Sequence, residues 1–169
     1  WRNFPLAEKV AAKYKVPVKV DNDANAAALA EARWGAARGY RYVFYTCIGT
    51  GIGTGIVLEA RIYYARTGAA GEGGHTTIDY RGPVCGCGKR GCIEALASGP
   101  ALARRARRRL TQKPDGSSRI LALANGKPEA ITAETVAAAW RAGDPLATEL
   151  LRETSNFLAI WLGSMIDVL

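Results

Sequence analysis

The sequence predicts an α/β fold, because helical and strand patterns alternate along its first half and a glycine-rich turn joins two of the strands. Residues 6–15 have the apolar spacing of a helix, and residues 17–20 read as a short strand. Residues 25–37 are rich in alanine and form the next predicted helix, which Gly35 or Gly39 ends. Helices and strands mixed in this way are typical of a sheet with helices packed against it.

Strand patterns dominate the middle of the chain. Residues 42–48 are rich in β-branched and aromatic side chains, and residues 56–58 and 62–64 repeat that pattern after a cluster of glycines. Residues 76–80 are a further short strand candidate, and residues 81–91 form a loop dense in glycine and cysteine. The sequence therefore predicts several short strands connected by turns.

The last third of the chain is predicted to be helical. Pro100 suits the first position of a helix, and Asp144 followed by Pro145 gives a second start signal, for a long helix that runs to about residue 162. Residues 113–118 read as a loop between helices.

Composition and charge exclude several classes of protein. The 23 Lys and Arg residues outnumber the 15 Asp and Glu residues, which excludes an acidic tail and suits phosphate-bearing ligands. The most apolar stretch, residues 157–169, contains Asp167 and is shorter than the ~20 residues that span a bilayer, so no membrane span is expected.

No secretory signal is visible, and we expect a cytoplasmic protein. Both ends read as cuts through a longer chain, because Trp1 replaces an initiator methionine and the last residues are apolar and uncapped.

Three of the four cysteines are clustered with the one histidine. Cys85, Cys87 and Cys92 lie on a glycine-rich turn, and His75 precedes Cys85 by ten residues. Three thiolates and an imidazole are a closed tetrahedral ligand set for a structural Zn²⁺. A disulfide pair with a spare thiol, or a catalytic cysteine, are the alternatives. Cys47 stands alone on a strand and is expected to be a small core residue.

A glycine loop separates two of the predicted strands. Gly49, Gly51, Gly53 and Gly55 fit neither the dinucleotide-binding pattern nor the P-loop, and a strand rather than a helix follows them. Their backbone amides can still cradle a phosphate, and four glycines exceed what a two-residue hairpin turn needs. We favour phosphate contact over a tight hairpin with a bulge.

Several carboxylates are candidates for chemistry. Asp23 follows a predicted strand and precedes a helix, so it is either a general base at a ligand crevice or the helix N-cap. Glu72 stands three residues before His75, and Glu94 two residues after Cys92. Zinc would fix both glutamates together with its ligands, and paired carboxylates suit the vicinal hydroxyls of a sugar. Each glutamate alone is more often a solvated surface residue.

Four stretches together resemble the ROK family of sugar kinases and sugar-responsive repressors, and most of all its bacterial glucokinases. They are residues 21–28, 49–53, 71–75 and 85–94. The resemblance implies the actin-like, ribonuclease-H-like sugar kinase fold. It further implies that residues 1–21 end the N-terminal lobe, and that residues 22–169 form a C-terminal lobe with a zinc-binding loop, incomplete at its C-terminus.

The resemblance also implies an activity, the ATP-dependent phosphorylation of a hexose, most of all of glucose to glucose 6-phosphate. Asp23 would be the catalytic base, with Mg²⁺ accompanying ATP. The sugar would be held by Asn22, Glu72, His75 and Glu94. The ATP phosphates would be met by Gly49, Thr50, Gly51, Gly53, Thr54 and Gly55. The structural zinc would be held by His75, Cys85, Cys87 and Cys92.

Two residues depart from the family's pattern: Gly73 replaces a bulky apolar residue, and Thr54 replaces a common glycine. Within the family the alternative function is a sugar-responsive repressor whose DNA-binding module lies outside this chain. The family also implies a homodimer or higher homo-oligomer, for which an exposed Trp161 would be weak support. We expect the 169 residues alone to bind zinc without turning over ATP.

The basic run at residues 104–109 is the third candidate function, direct binding of nucleic acid. Its five arginines spread around the helix, and no aromatic residues interleave with them for base stacking. A solvated helix face is the better interpretation, and nucleic acid is not expected as a partner.

Overall fold

The computed structural model describes residues 3–66, 70–112 and 118–169. This part of the chain contains seven α-helices, three strands and two 3₁₀ turns. The helices are α1 (Leu6–Tyr14), α2 (Asp23–Trp34), α3 (Ile93–Ala97), α4 (Gly99–Gln112), α5 (Arg119–Leu123), α6 (Ala133–Arg141) and α7 (Pro145–Val168). The strands are β1 (Tyr42–Ile48), β2 (Ile52–Leu58) and β3 (Arg61–Ile62), and the 3₁₀ turns are Gly73–His75 and Pro128–Ala130. The α/β prediction is confirmed.

The chain divides into two compact units, and the first comprises Trp1–Tyr45 and Gly55–Ala70. Helix α2 begins where it does because the side chain of Asn22 accepts hydrogen bonds from the amides of Ala24 (2.9 Å) and Asn25 (3.2 Å). The N-cap is therefore Asn22, and the alternative that placed Asp23 there is wrong. In the same unit β2 pairs with β3 in antiparallel register, with Val57 opposite Ile62.

The second unit comprises Thr46–Thr54 and Gly71–Leu169, and its helices enclose an apolar core. Helix α4 packs against α6 and α7, and α5 packs against α6. The core residues are Leu102, Ala106, Leu110, Ile120, Ala124, Ile131, Val136, Ala139, Ala147 and Leu150. This helical layer carries the longest element of the fold, α7, whose predicted start at Asp144 is confirmed.

Buried Asp144 fastens two of these helices. Its Oδ1 accepts a hydrogen bond from the Ala147 amide (2.7 Å) and so caps α7. Its Oδ2 accepts from the Ser118 hydroxyl (3.0 Å) and from the Arg119 amide (2.6 Å), at the start of α5. Residue 118 is the only part of the predicted 113–118 loop within the described residues.

The sheet has the strand order β1-β2-β3, and two predicted strands are absent from it. Residues 17–20 form no strand, because nothing in the described part of the chain pairs with them. Residues 76–80 contribute only an isolated bridge between Thr77 and Cys92. Cys47 is exposed rather than in a core, because it lies at the end of β1, past the half-buried part of that strand.

Within the described ranges, none of the helices combines the length and the apolar character that crossing a membrane requires.

Candidate functional site

His75, Cys85, Cys87 and Cys92 converge, with their ligand atoms all within 4.8 Å of one another. Cys85 Sγ lies 3.5 Å from His75 Nδ1, and the sulfurs of Cys87 and Cys92 lie 3.7 Å apart. A tetrahedral zinc ion with Zn–S about 2.3 Å and Zn–N about 2.0 Å holds neighbouring donor atoms about 3.5–3.8 Å apart. All four cysteines are free thiols. The residues therefore fit a tetrahedral metal ion and not a disulfide.

Backbone turns between the cysteines produce this convergence. The Cys85 amide donates to the Lys89 carbonyl (2.7 Å) and the Gly88 amide donates to the Cys85 carbonyl (2.9 Å). Gly91 has φ +65°, and a Cβ there would lie 1.5 Å from the carbonyl oxygen of Asp79. Only glycine fits this position, since it needs both a left-handed backbone and the close approach.

The thiols differ in their protonation because they differ in surroundings. A hydrogen bond from the Lys89 backbone lowers the pKa of Cys87, whereas desolvation by burial raises the pKa of Cys92 to about 12. Both thiols must lose a proton to ligate a metal, and a cation among the sulfurs favours that loss.

The ring of His75 has a cysteine sulfur and one glutamate beside Nδ1 and a second glutamate beside Nε2. Its Nδ1 faces Cys85 Sγ and lies 4.0 Å from Glu94 Oε1, while its Nε2 lies 3.9 Å from Glu72 Oε2. The Glu72 side chain is 64% exposed and the Glu94 side chain 28%. With Nδ1 ligating a metal, the Nε2 proton and both carboxylates are left to bind a polar ligand.

Glu94 connects the cysteine cluster to the tip of the β1–β2 hairpin. Its Oε2 accepts a hydrogen bond from the Ile52 amide (3.0 Å). A Cβ on Gly51 would lie 2.6 Å from that same oxygen, so a side chain there would displace the Glu94 carboxylate from its present position. The tip is also held by α4, since the Gly99 amide donates to the Gly49 carbonyl (2.9 Å). The predicted carboxylate and the predicted glycine loop thus lie together.

The hairpin tip borders a cavity of about 640 Å³. Its wall includes Gly49 and Thr50 of the tip, Ser98 and Pro100, and the start of α6. The amides of Thr50 and Gly51 make no hydrogen bond among the described residues, whereas the Gly49 amide donates to the Gly51 carbonyl (2.9 Å). The tip therefore offers free donors beside an open cavity.

Sequence reasoning missed Arg107, which also lines this cavity. Its Nη2 donates to the Ile131 carbonyl (2.7 Å), while its buried Nε has no partner in the described ranges. The start of α6 was missed as well, although Thr132 and Thr135 form a capping box there. That pair of threonines was the signal available in the sequence.

The segment before His75 is fastened from two sides. The buried Thr54 hydroxyl accepts a hydrogen bond from the Gly73 amide (2.9 Å) and donates to the Gly71 carbonyl. Trp161 Nε1 donates to the Gly73 carbonyl (3.1 Å). Trp161 is fully buried, so the expectation of an exposed Trp161 is wrong and its support for an oligomer is lost.

The first unit holds the remaining predicted site residues. Asp23 is exposed at the start of α2, and one of its oxygens accepts from the Ala24 amide (2.8 Å). The oxygen of Asn22 caps the same helix. Asp21 accepts hydrogen bonds from the Tyr64 hydroxyl and the Asn22 amide, and the Tyr64 bond is the main cause of the lowered pKa of Asp21.

Comparisons with known proteins give a consistent result. The sequence profile described as "ROK family" matches residues 1–169. A glucokinase of Streptomyces coelicolor is 42% identical over 164 residues, which are 97% of this chain and 50% of the relative. A xylose repressor of Bacillus subtilis is 45% identical over 102 residues, 60% of this chain and 27% of the repressor. The chain spans about half the length of the curated glucokinases it matches.

Solved structures extend the likeness to the fold. A ROK family glucokinase from Streptomyces griseus, in complex with glucose and AMPPNP, superposes with a TM-score of 0.86 at 38% identity and covers 99% of this chain and 54% of its own. A ROK hexokinase from Thermus thermophilus gives a TM-score of 0.81 at 36% identity, covering 99% of this chain and 52% of its own.

Proposed function

The chain belongs to the ROK family and has its actin-like sugar kinase fold, and we propose that it carries the base and sugar-binding residues of an ATP-dependent hexose kinase. The observation that carries this proposal is the arrangement of His75, with Nδ1 toward the sulfurs and Nε2 toward Glu72. Glucose is the proposed hexose, supported by the glucokinases among the relatives.

The sugar would bind through Asn22, Glu72, His75 and Glu94. The two glutamates accept hydrogen bonds from adjacent hydroxyls, and the imidazole donates from Nε2. His75 and the three cysteines would hold a zinc ion, which would serve as a structural brace for the imidazole. Because Glu94 also accepts from the Ile52 amide, this brace orients one carboxylate of the sugar site relative to the hairpin tip.

The nucleotide would lie along the hairpin tip. The free amides of Thr50 and Gly51 donate to phosphate oxygens, and the cavity of about 640 Å³ beside them accommodates the rest of the nucleotide. The other predicted phosphate contacts are Gly49, Gly53, Thr54 and Gly55, through their backbone. With ATP bound, the accompanying Mg²⁺ neutralises charge on its phosphates.

Asp23 would accept the proton of the attacking sugar hydroxyl. The hydroxyl oxygen forms its bond to the γ-phosphorus as the bond from that phosphorus to the ADP oxygen breaks, and the hydroxyl proton passes to the carboxylate. Asp23 is exposed at the start of α2, and within the described ranges one of its oxygens has no hydrogen-bond partner and is available for this role.

Three finer assignments belong to the same proposal. Residues 1–21 end an N-terminal lobe and residues 22–169 form most of the C-terminal one. The protein acts in the cytoplasm, and it assembles as a homodimer or higher homo-oligomer. Light scattering on the full-length gene product tests the last of these.

A sugar-responsive repressor is the second candidate, favoured by the match to the Bacillus subtilis xylose repressor and by the likeness to a solved ROK transcriptional regulator. Sugar binding is common to both candidates, and proton abstraction by Asp23 belongs to the kinase alone.

A sugar panel with ATP, assayed on the full-length gene product, separates them. Asp23→Asn should lower kcat by about 10²–10⁴-fold because the base is lost, while sugar affinity changes little. The matched control is Asp167→Asn, which removes an exposed carboxylate from α7 and should leave kcat unchanged. Full turnover by Asp23→Asn would refute the assigned base. Sugar binding without any turnover in the wild type would favour the repressor.

A further inference from the structure

A second cavity, of about 740 Å³, lies between the cysteine loop and helix α4, and arginines dominate its wall. We call it the arginine groove. Two acidic residues, Asp79 and Glu153, also line it. The arginines are Arg81 and Arg90 of the loop and Arg104, Arg105, Arg108 and Arg109 of α4. The proposed kinase chemistry uses none of these residues.

Two of the arginines are already neutralised. Arg105 Nη1 contacts Glu153 Oε2 at 2.9 Å, and its side chain is only 12% exposed. Arg109 Nη1 contacts Glu149 Oε1 at 3.0 Å and its Nη2 pairs with Glu153. Both join α4 to α7, so part of the basic run is structural, and the predicted solvated face holds for the exposed Arg104 and Arg108.

The other two arginines that α4 contributes to the groove are Arg104 and Arg108. Arg104 and Arg108 are four residues apart, which places them on one helix face, and both are exposed. Arg104 Nη2 donates to the Ala95 carbonyl (3.2 Å). The Arg108 side chain has no ion pair or hydrogen bond within the ranges that the structure describes. Neither guanidinium contacts a carboxylate there.

The loop supplies two further exposed cations. Arg81 stacks over the Tyr80 ring, 5.1 Å from its centroid, and Arg90 reaches only the Gly82 carbonyl (3.5 Å). The nearby carboxylate of Asp79 accepts a hydrogen bond from the Arg81 amide (3.0 Å). Four exposed guanidiniums thus line one cavity, where Glu153 is paired with Arg105 and Arg109 and Asp79 accepts a backbone hydrogen bond.

We propose that the arginine groove binds a small molecule that carries two or more phosphate groups. Guanidinium groups bind phosphate oxygens in pairs, and four exposed ones can serve more than one phosphate. The cavity volume lies within the range of small-molecule sites. A concave site of this size suits such a ligand better than a nucleic-acid duplex, which needs an extended surface. Inorganic oligophosphates and sugar bisphosphates share this chemistry.

Calorimetric titration of the full-length gene product tests the proposal. The probes are inorganic tripolyphosphate and a sugar bisphosphate at physiological salt, and the tighter probe identifies the source of the ligand. Arg104→Gln with Arg108→Gln should weaken the better probe at least about tenfold, because two charge-assisted contacts are lost. The matched control is Arg141→Gln with Arg152→Gln, which removes the same charge from exposed positions outside the groove and should change Kd less than about twofold.

Three results would overturn the proposal. The first is that neither probe binds. The second is an equal loss of affinity in the groove variant and the control, which would mean diffuse attraction by net charge. The third is that the groove variant binds both probes as the wild type does, which would place the probes elsewhere, for instance at the hairpin tip. A duplex DNA that binds more tightly than both probes, with the same dependence on Arg104 and Arg108, would replace the small ligand by nucleic acid.

Discussion

Thr54 occupies the space that a side chain at Gly73 would need. A Cβ at Gly73 would lie 2.8 Å from Thr54 Oγ1 and 3.2 Å from its Cγ2, and the hydroxyl also accepts the Gly73 amide proton. Both positions stand out in the sequence as departures from the family that the chain resembles. In the structure they share one space, since the Thr54 side chain lies where a side chain at Gly73 would be.

Gly73→Ala is expected to destabilise the protein by about 1–3 kcal/mol, because buried Thr54 cannot move aside without losing its hydrogen bonds. Thr54→Ala with Gly73→Ala should cost less than the sum of the single changes, by about 1 kcal/mol, since the first change removes the colliding atoms. Urea unfolding of the four proteins gives this coupling. Strict additivity would contradict the shared space.

Trp161→Phe tests whether the indole positions the segment before His75. The change keeps a buried ring and removes the hydrogen bond to the Gly73 carbonyl, so we expect a loss of about 1 kcal/mol in unfolding free energy. The KM for sugar should rise several-fold with kcat less affected. Trp140→Phe, at a half-exposed site on α6, is the control. An unchanged KM in Trp161→Phe would assign the indole to stability alone.

Metal content tests the cysteine cluster directly. The full-length gene product should contain about one zinc per chain by elemental analysis, and Cys87→Ser should lose it because a tetrahedral site needs all four ligands. Cys47→Ser removes an exposed thiol outside the cluster and should keep the metal. Sugar affinity should fall in Cys87→Ser together with the zinc. A metal-free wild type, or sugar binding that survives complete loss of zinc, would argue against the brace.

The pair of Asp21 and Tyr64 predicts a pH-dependent contribution to stability. The Tyr64 hydroxyl lowers the pKa of Asp21 in the folded state. The hydrogen bond therefore adds to the free energy of unfolding above the ordinary pKa of 3.8, and this stabilisation is lost as the pH falls through the pKa of Asp21 in the folded protein. Tyr64→Phe should therefore be less stable than the wild type at pH 7 and equally stable at the acid end. Thermal unfolding measured across pH tests this. The control is Tyr63→Phe, which removes a hydroxyl from the adjacent residue. A pH-independent difference would assign the effect of Tyr64 to packing.

Local patterns predicted α1, α2, α4 and α7, the two strands joined by a glycine turn and the cysteine cluster, because cap residues, strand composition and ligand spacing act over short stretches of sequence. Residues 17–20 were misread since a strand also needs a partner, and composition does not supply one. The burial of Trp161 depends on which face of α7 meets a segment 88 residues earlier in the chain. Arg105 and Glu153 are 48 residues apart in the chain, so no local sequence pattern indicates that they pair.

The identity of the reaction product tests the central proposal most directly. Full-length gene product should be incubated with ATP and uniformly ¹³C-labelled glucose, and the products followed by phosphorus and carbon NMR. We expect one glucose 6-phosphate for each ADP formed in the wild type, and no glucose 6-phosphate in Asp23→Asn. Glucose that binds and stays unphosphorylated, or ADP released with free phosphate and no sugar phosphate, would contradict it.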